Sequence, residues 1–225
     1  PIELHGNILL LKVSNPINPI SVKRLILECI MILLWAILMA WLAYSLLKLN
    51  EQRVQLNMIA MIDPLTNLPN RRLLSIKLDN ILSQTIKDKS CVVCYLDLDG
   101  FKAVNDQLGH AAGDELLKIV SGRLKGCVRV NDIIARVGGD EFVIVLVALK
   151  NLEEAEFIMK RVINAVNQPI NLSGQIAHVS ASLGAAVYRT DGEEAEHLLR
   201  VADQAMYHAK NSEKNCFFFA KNMVI

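Results

Sequence analysis

The chain has 225 residues, of which 52% are hydrophobic, and its 24 basic and 23 acidic residues leave a net charge of +1. The basic residues are scattered and form no stripe or aromatic platform, which argues against a nucleic-acid partner. Cys91 and Cys94 stand on a predicted strand at positions that face opposite sides, which argues against a redox pair.

The first predicted element is a membrane-spanning helix. The residues from Leu25 to Leu47 are almost wholly apolar apart from Glu28, and a helix of that length reaches roughly 34 Å, enough for an apolar bilayer layer of about 30 Å. The length and internal position of the run disfavour a buried core helix or a signal peptide. Glu28, near one end, is expected to reach the interface rather than mark an ion path. We predict a transmembrane helix over residues 23–48.

Two short segments flank this helix. Residues 1–22, with an apolar piece from Ile8 to Val13, are predicted to be a short extracytoplasmic remnant. Because the chain starts with Pro1 rather than methionine, we expect a fragment or truncated product of a longer sensor. Residues 49–62 are predicted to form a helical stalk, and the spacing of its apolar residues suits either a short coiled coil between two copies or a plain spacer helix.

The remaining residues alternate between predicted helices and strands. Asn70 is expected to cap a helix that begins at Arg71, after two proline-containing steps break the stalk. The predicted elements that follow are a strand near 91–97, helices 101–108 and 112–126, strands 133–137 and 141–147, helix 152–167, a strand near 178–188, helix 195–211 and a strand near 216–219. This order predicts an α/β sandwich, a mixed central sheet flanked by helices in a ferredoxin-like or palm-like arrangement.

Acidic residues interrupt the apolar strands at two places. Asp97 and Asp99 lie at the end of the first strand, with their side chains on the same side of it. One or both can therefore face Asp140 in the hairpin that joins the next two strands. Gly138 and Gly139 are expected to permit positive φ in a tight turn and to let phosphates approach the backbone. Adjacent carboxylates are suitable ligands for Mg²⁺, whereas a bare Gly-Gly-Asp also fits an ordinary solvated turn.

Several segments together resemble the GGDEF diguanylate cyclases. The segments, in family order and spacing, are Asp63-Pro64-Leu65-Thr66-Asn67-Leu68-Pro69-Asn70-Arg71-Arg72, Asp97-Leu98-Asp99-Gly100-Phe101-Lys102 with Asn105-Asp106, Gly109-His110 with Gly113-Asp114, Gly138-Gly139-Asp140-Glu141-Phe142, and Ala202-Asp203-Gln204-Ala205-Met206-Tyr207 with Ala209-Lys210. The resemblance implies a palm-like domain over residues 63–225 that joins two GTP molecules into cyclic di-GMP and releases two pyrophosphates.

The resemblance also implies roles for individual residues. The metal, Mg²⁺ or Mn²⁺ in its place, is held by Asp97, Asp140 and the Leu98 carbonyl, and Asp140 or Glu141 accepts the proton. Lys102 stabilises the transition state. The implied substrate contacts are Gly100, Phe101, Gly138, Gly139, Lys210 and Lys214 for the phosphates, and Asn105, Asp114 and His110 for the guanine side. Lys214 departs from the arginine common in the family and so lacks bidentate geometry. Asn105 as a helix cap and His110 as a turn residue are the plainer alternatives.

Arg129 and Asp132 resemble the family's inhibitory site for its product. Taken alone, an Arg-x-x-Asp tetrapeptide is also consistent with a surface ion pair worth under about 1 kcal/mol. One domain binds one GTP, so the two-fold symmetric product implies a homodimer.

The location follows from the implied substrate. GTP places the catalytic domain in the cytoplasm and the helix in the bacterial inner membrane. The competing hypotheses are a catalytically silent domain that senses GTP or cyclic di-GMP, and a truncated chain that lacks its controlling sensor. Asp97, Asp140, Glu141 and Lys102 are all present, which favours the enzyme.

Overall fold

The computed structural model of the chain describes residues 19–59, 61–84 and 90–222. The chain divides into two compact units, Pro1–Leu56 and Asn57–Ile225. Residues 1–18 of the predicted extracytoplasmic segment lie outside the described part. So do the side chains of residues 51–59, on which the coiled-coil interpretation of the stalk depends.

The described residues of the first unit lie in one helix, α1 (Pro19–Ile59), which runs through the predicted span and most of the predicted stalk. Within it, Lys23–Asn50 has a mean hydropathy of 2.5, long and apolar enough to cross a membrane. Trp35 and Trp41 are among its many exposed apolar side chains. Near its start the Arg24 Nε donates to the Glu28 Oε1 at 3.1 Å, so the acid in the apolar run is paired with a base one turn away.

The second unit is built on a mixed five-stranded sheet, as the sequence predicts. Its strands are β1 (Ser90–Asp99), β2 (Ile133–Arg136), β3 (Glu141–Leu149), β6 (Ser180–Val187) and β7 (Phe217–Phe219); a separate hairpin contains β4 (Ile170–Leu172) and β5 (Gln175–Ala177). The spatial order of the five strands in the sheet is β2-β3-β1-β6-β7, and neighbouring strands are antiparallel except for the β6–β7 pair.

Helices cover both faces of this sheet. Two of them, α2 (Arg71–Gln84) and α6 (Ala195–Ser212), pack on one face, and α4 (His110–Gly126) and α5 (Leu152–Val166) pack on the other. A short helix, α3 (Phe101–Leu108), follows β1 directly, and a 3₁₀ turn, Ala220–Asn222, follows β7. Cys91 belongs to the α2–α6 core and Cys94 to the α4–α5 core, so the two thiols face opposite sides, as predicted.

The hairpin of β4 and β5 was not predicted. The structure starts the long strand at Ser180 and pairs Ile170–Leu172 with Gln175–Ala177. Ser173 and Gly174 have φ of 50° and 92°, and the Asn171 side chain accepts from the Gly174 N–H at 2.8 Å. A two-residue turn with both φ angles positive matches the twist of a hairpin, and the Ser-Gly pair was its sequence signal.

Candidate active site at the central hairpin

The turn between β2 and β3 is tied to the end of β1. The Val137 N–H donates to the Glu141 carbonyl at 3.0 Å, and the Leu98 N–H donates to the Asp140 carbonyl at 3.3 Å. These backbone bonds place Asp140 beside the acidic end of β1. Asp97 is the register partner of Glu141 across the two strands. The chain therefore brings its predicted acidic residues to one edge of the sheet.

The expectation of positive φ in this turn was wrong. Among the described glycines, positive φ occurs at Gly100, Gly109, Gly174 and Gly192. Position 138 instead has no room for a side chain, because a Cβ there would lie 2.5 Å from the Glu141 Oε2. A side chain at this position would displace that carboxylate.

Arg136 fixes the turn from its other side. Its Nη1 donates to both carboxylate oxygens of Asp63, at 3.1 and 3.0 Å, while its Nε and Nη2 donate to the Gly139 carbonyl at 3.1 and 2.8 Å. Burial acts to raise the pKa of Asp63, but the hydrogen bonds from Thr66 and Arg136 lower it overall. This ion pair, in which one guanidinium nitrogen donates to both carboxylate oxygens, was not predicted from the sequence and connects the first residues of the domain to the hairpin.

Asp97, Asp140 and Lys210 form the charged centre of the site. The Lys210 Nζ donates to the Asp97 Oδ1 at 2.7 Å. Burial, and then the negative charge of Asp97, raise the pKa of Asp140. Burial lowers the pKa of Lys210, but the hydrogen bond to Asp97 and the surrounding carboxylates raise it overall. Lys210 thus neutralises part of the charge that two neighbouring carboxylates carry.

This donor set is suited to a divalent cation. A positive charge between two neighbouring carboxylates relieves the repulsion between them. The described residues contain no group of three or more His, Cys, Asp or Glu side chains at metal-binding distances. A metal here would therefore be held by the carboxylates of Asp97 and Asp140 and the Leu98 carbonyl together with substrate oxygens. This is the usual way in which Mg²⁺ is held beside phosphates.

Asp99 faces the neighbouring strand β6. Its Oδ2 accepts from the Ser180 and Ser182 hydroxyls at 3.1 and 2.8 Å and from the Asn215 N–H at 3.4 Å. Asp99 is buried, and its Oδ1 has no hydrogen-bond partner among the described residues. Of the two acids on this strand, Asp97 is therefore the one whose charge acts on Asp140.

Glu141 is held from the α2 side of the sheet. The Tyr95 hydroxyl donates to the Glu141 Oε2 at 3.1 Å, and the Arg71 Nη2 donates to the Tyr95 oxygen at 3.3 Å. Burial and the neighbouring Glu141 carboxylate raise the pKa of Tyr95 to about 12. Tyr95 was not predicted as a site residue, because a tyrosine in an apolar strand is typical of an ordinary core position. Tyr95 also lines a cavity of about 650 Å³ between α2 and α6, together with Arg71, Leu74 and Asp203.

The predicted phosphate contacts surround the end of β1. Gly100, with φ of 88°, precedes the first turn of α3, where Phe101 begins the helix and Lys102 is exposed. Free N–H groups at a helix start favour anions. Lys214 is exposed in the turn after α6, with φ of 50°.

The predicted guanine contacts lie on α3 and α4. The Asn105 side chain lies directly over Gly113, where a Cβ would come within 2.0 Å of the Asn105 Oδ1. This packing places Asn105 next to the residue that precedes Asp114. Asp114 and His110 are exposed on the first turns of α4.

Arg129 and Asp132 are both engaged within the chain. The Asp132 carboxylate accepts from the Arg129 N–H at 2.8 Å and from the Val147 N–H at 3.0 Å. The Arg129 guanidinium pairs with the Glu154 carboxylate, which also accepts from the Lys150 N–H at 3.0 Å. These bonds do not bring the Arg129 guanidinium to Asp132. They give it a different partner on α5.

Comparisons with a family model and with known proteins agree on one family. A family model described as "Diguanylate cyclase, GGDEF domain" matches residues 60–216. The bifunctional diguanylate cyclase/cyclic di-GMP phosphodiesterase MucR of Pseudomonas aeruginosa is 43% identical over 180 residues, which are 79% of this chain and 26% of that protein. The diguanylate cyclase TpbB of the same species is 36% identical over 169 residues, which are 74% of this chain and 39% of that protein.

A solved structure agrees with these matches. A shortened TpbB from P. aeruginosa comprising only the GGDEF domain superposes with a TM-score of 0.69 at 37% identity, covering 71% of this chain and 94% of that one. The chain spans only about a quarter of the length of MucR.

Proposed function

The chain belongs to the GGDEF family of diguanylate cyclases, and on that premise we propose that it condenses two GTP molecules into cyclic di-GMP with release of two pyrophosphates. The observation that carries the proposal is the proximity of Asp97 and Asp140 at the end of the central hairpin, with Lys210 bound to Asp97. That arrangement provides both carboxylates for a metal and a cation for a phosphate at one edge of the sheet.

GGDEF cyclases generally depend on a divalent metal. In this chain Asp97, Asp140 and the Leu98 carbonyl would hold Mg²⁺ or Mn²⁺, which neutralises the triphosphate and favours ionisation of the attacking 3′-hydroxyl. Asp140 or Glu141 accepts the proton of that hydroxyl. Lys210, which donates to the Asp97 carboxylate, would also be available to bind phosphate oxygens if a metal shared the charge of Asp97.

The other predicted residues bind and orient the substrate. Lys102, Lys214 and the backbone at Gly100 and Phe101 neutralise and hold phosphate oxygens. Gly138 and Gly139 have no side chains, which lets the phosphates approach the backbone of the hairpin. Two further side chains read the base: the Asp114 carboxylate accepts from guanine donors, and the Asn105 amide supplies both a donor and an acceptor. His110 makes a further substrate contact. Adenine would leave the Asp114 carboxylate without a donor.

The reaction requires two copies of the domain. Each half-site holds one GTP, and the 3′-hydroxyl of each attacks the α-phosphate of the other, so we place the active form as a homodimer with facing sites. The transmembrane helix (residues 23–48) and the stalk (49–62) hold the domain (63–225) at the cytoplasmic face of the inner membrane. The apolar helix Lys23–Asn50 supports this placement.

The experiment that tests the proposal uses the full chain in detergent micelles with GTP and Mg²⁺, with nucleotides separated by chromatography. We expect cyclic di-GMP and pyrophosphate, a rate that rises more steeply than protein concentration, and no product after chelation of the metal by EDTA. A rate proportional to protein concentration would contradict the dimer requirement. Binding of GTP without product would identify a silent nucleotide receptor instead.

We also propose that cyclic di-GMP inhibits the enzyme by binding at Arg129 and Asp132. Glu154 would compete with cyclic di-GMP for the Arg129 guanidinium. Arg129→Ala is expected to relieve inhibition by cyclic di-GMP, because the product loses its cationic contact. Glu154→Gln is expected to lower the inhibitory concentration a few-fold, on the order of the weak exposed pair that it removes. Inhibition curves measured with added cyclic di-GMP check both variants. Identical curves for the two variants and the parent chain would show that Arg129 is only a surface charge.

A further inference from the structure

The Glu141 carboxylate has neighbours on two sides. The Tyr95 hydroxyl donates to its Oε2 at 3.1 Å, and Gly138 lies so close that a Cβ there would come within 2.5 Å of the same oxygen. We infer that Tyr95 is a positioning residue for diguanylate cyclase turnover, because it fixes the orientation of the Glu141 carboxylate at the hairpin. The inference deepens the proposed function and rests on it.

The sheet register brings Tyr95 within reach of Glu141. Tyr95 and Asp97 lie on the same face of β1, and Asp97 is directly opposite Glu141 on β3. Tyr95 is therefore the diagonal neighbour of Glu141, at a distance that long side chains can bridge. A valine or leucine at position 95 would fill the core but would end short of the carboxylate.

Tyr95 is itself held in place. Its side chain is only 5% exposed and belongs to the core between the sheet and α2, which includes Leu74 and Leu78. The Arg71 Nη2 donates to the Tyr95 oxygen at 3.3 Å, which leaves the hydroxyl hydrogen for Glu141. A glutamate has three freely rotating side-chain bonds, whereas a packed tyrosine has essentially one orientation. The hydrogen bond from this well-packed tyrosine therefore restricts the rotation of the Glu141 carboxylate at the edge of the site.

The ring and the hydroxyl of Tyr95 have separable functions. The ring fills the core, and phenylalanine would fill it equally well. The hydroxyl stands at the border of the core, between a guanidinium and a carboxylate. Removing the hydroxyl should leave the fold in place and allow the carboxylate to rotate, which lowers turnover rather than GTP binding.

The test is Tyr95→Phe in the full chain in detergent micelles, with initial rates measured over a range of GTP concentrations at saturating Mg²⁺. We expect kcat to fall about tenfold, as the loss of one hydrogen bond to a charged group gives. KM for GTP should stay within about a factor of two, because a misoriented carboxylate at the reacting hydroxyl affects the transition state and not the bound ground state.

Tyr188→Phe is the matched control. Its hydroxyl donates to the Leu82 carbonyl at 3.3 Å, away from the hairpin, so its removal deletes the same group from the α2 side of the domain. This variant should retain the parent kcat. Thermal unfolding followed by circular dichroism should show equal midpoints for the two variants, which separates positioning from stability.

Three outcomes are distinguishable. Parent-like kcat for Tyr95→Phe, in an active enzyme whose Glu141→Gln variant is impaired, would overturn the inference and leave the proposed function intact. Equal loss of kcat in Tyr95→Phe and Tyr188→Phe, or a rise in KM that accounts for the whole loss, would also overturn it. A parent chain that produces no cyclic di-GMP would instead remove the proposed function itself.

Discussion

Asp140→Asn is expected to reduce cyclic di-GMP synthesis by at least about 10³-fold while the domain stays folded. Loss of one of two carboxylate ligands removes several kcal/mol of charge stabilisation from the transition state, and each 1.36 kcal/mol is about tenfold in rate. Asparagine keeps the size of the side chain, and the Leu98 N–H bonds to the backbone carbonyl of residue 140, which the change does not touch. Initial rates with GTP and Mg²⁺ measure the effect.

The stability of this variant has its own expected direction. Burial and the charge of Asp97 raise the pKa of Asp140, so the folded domain disfavours the ionised form. A raised pKa means that stability is lost as pH rises through the pKa of the folded state, and an amide removes that loss. The midpoint of thermal unfolding at neutral pH should therefore be equal to that of the parent chain or slightly higher.

Glu156→Gln is the control for the lost charge. Glu156 lies on α5 with a half-exposed side chain, and its Oε2 is 3.9 Å from the Lys160 Nζ. It has no assigned function at the hairpin. It should retain parent activity. Unchanged turnover in Asp140→Asn would refute the assignment of Asp140 as a metal ligand, and an unfolded Asp140→Asn variant would show that the carboxylate is structural.

Gly184→Ala is expected to destabilise the domain by about 3 kcal/mol or more. A Cβ at position 184 would lie 2.0 Å from the Met206 nitrogen and 2.1 Å from the Ala202 oxygen, both in the backbone of α6. A backbone cannot rotate away as a side chain can, so the whole helix would have to move off the sheet, and overpacking of this kind exceeds the usual range of 1–3 kcal/mol. Urea unfolding followed by circular dichroism measures the change.

The same substitution should impair catalysis in whatever fraction stays folded. Lys210 lies on α6 and donates to Asp97, so a shift of this helix away from Gly184 would also move Lys210 away from Asp97. Gly122→Ala is the matched control, since Gly122 is exposed in α4 and a Cβ there meets nothing within 4 Å. We expect it to stabilise the domain by about 0.5–1 kcal/mol, through the higher helix propensity of alanine. A parent-like free energy of unfolding for Gly184→Ala would show that α6 is not in backbone contact with β6.

The secondary structure was largely predictable because its causes are local. Continuous apolar runs predicted β1 and the two strands of the hairpin of β2 and β3, and Asn70 does cap α2, through a bond from the Leu73 N–H at 3.1 Å. The β4–β5 hairpin was missed because its strands have three residues each, too few for a periodic pattern to register. The turn at Gly138 was misinterpreted, because two adjacent glycines indicate freedom of φ as readily as they indicate a close neighbour.

The sequence by itself determined the order of the helices and of the five strands of the central sheet, the family, and the acidic residues at the end of β1 and in the hairpin, since these depend on neighbours along the chain. Only the tertiary structure decided which side chains meet. Lys210 binds Asp97 from 113 positions away, Asp99 is held by Ser182 from 83 away, and Tyr95 holds Glu141 from 46 away. Such pairs depend on strand register and on how closely α6 and α2 approach the sheet, and no local pattern of residues encodes those distances.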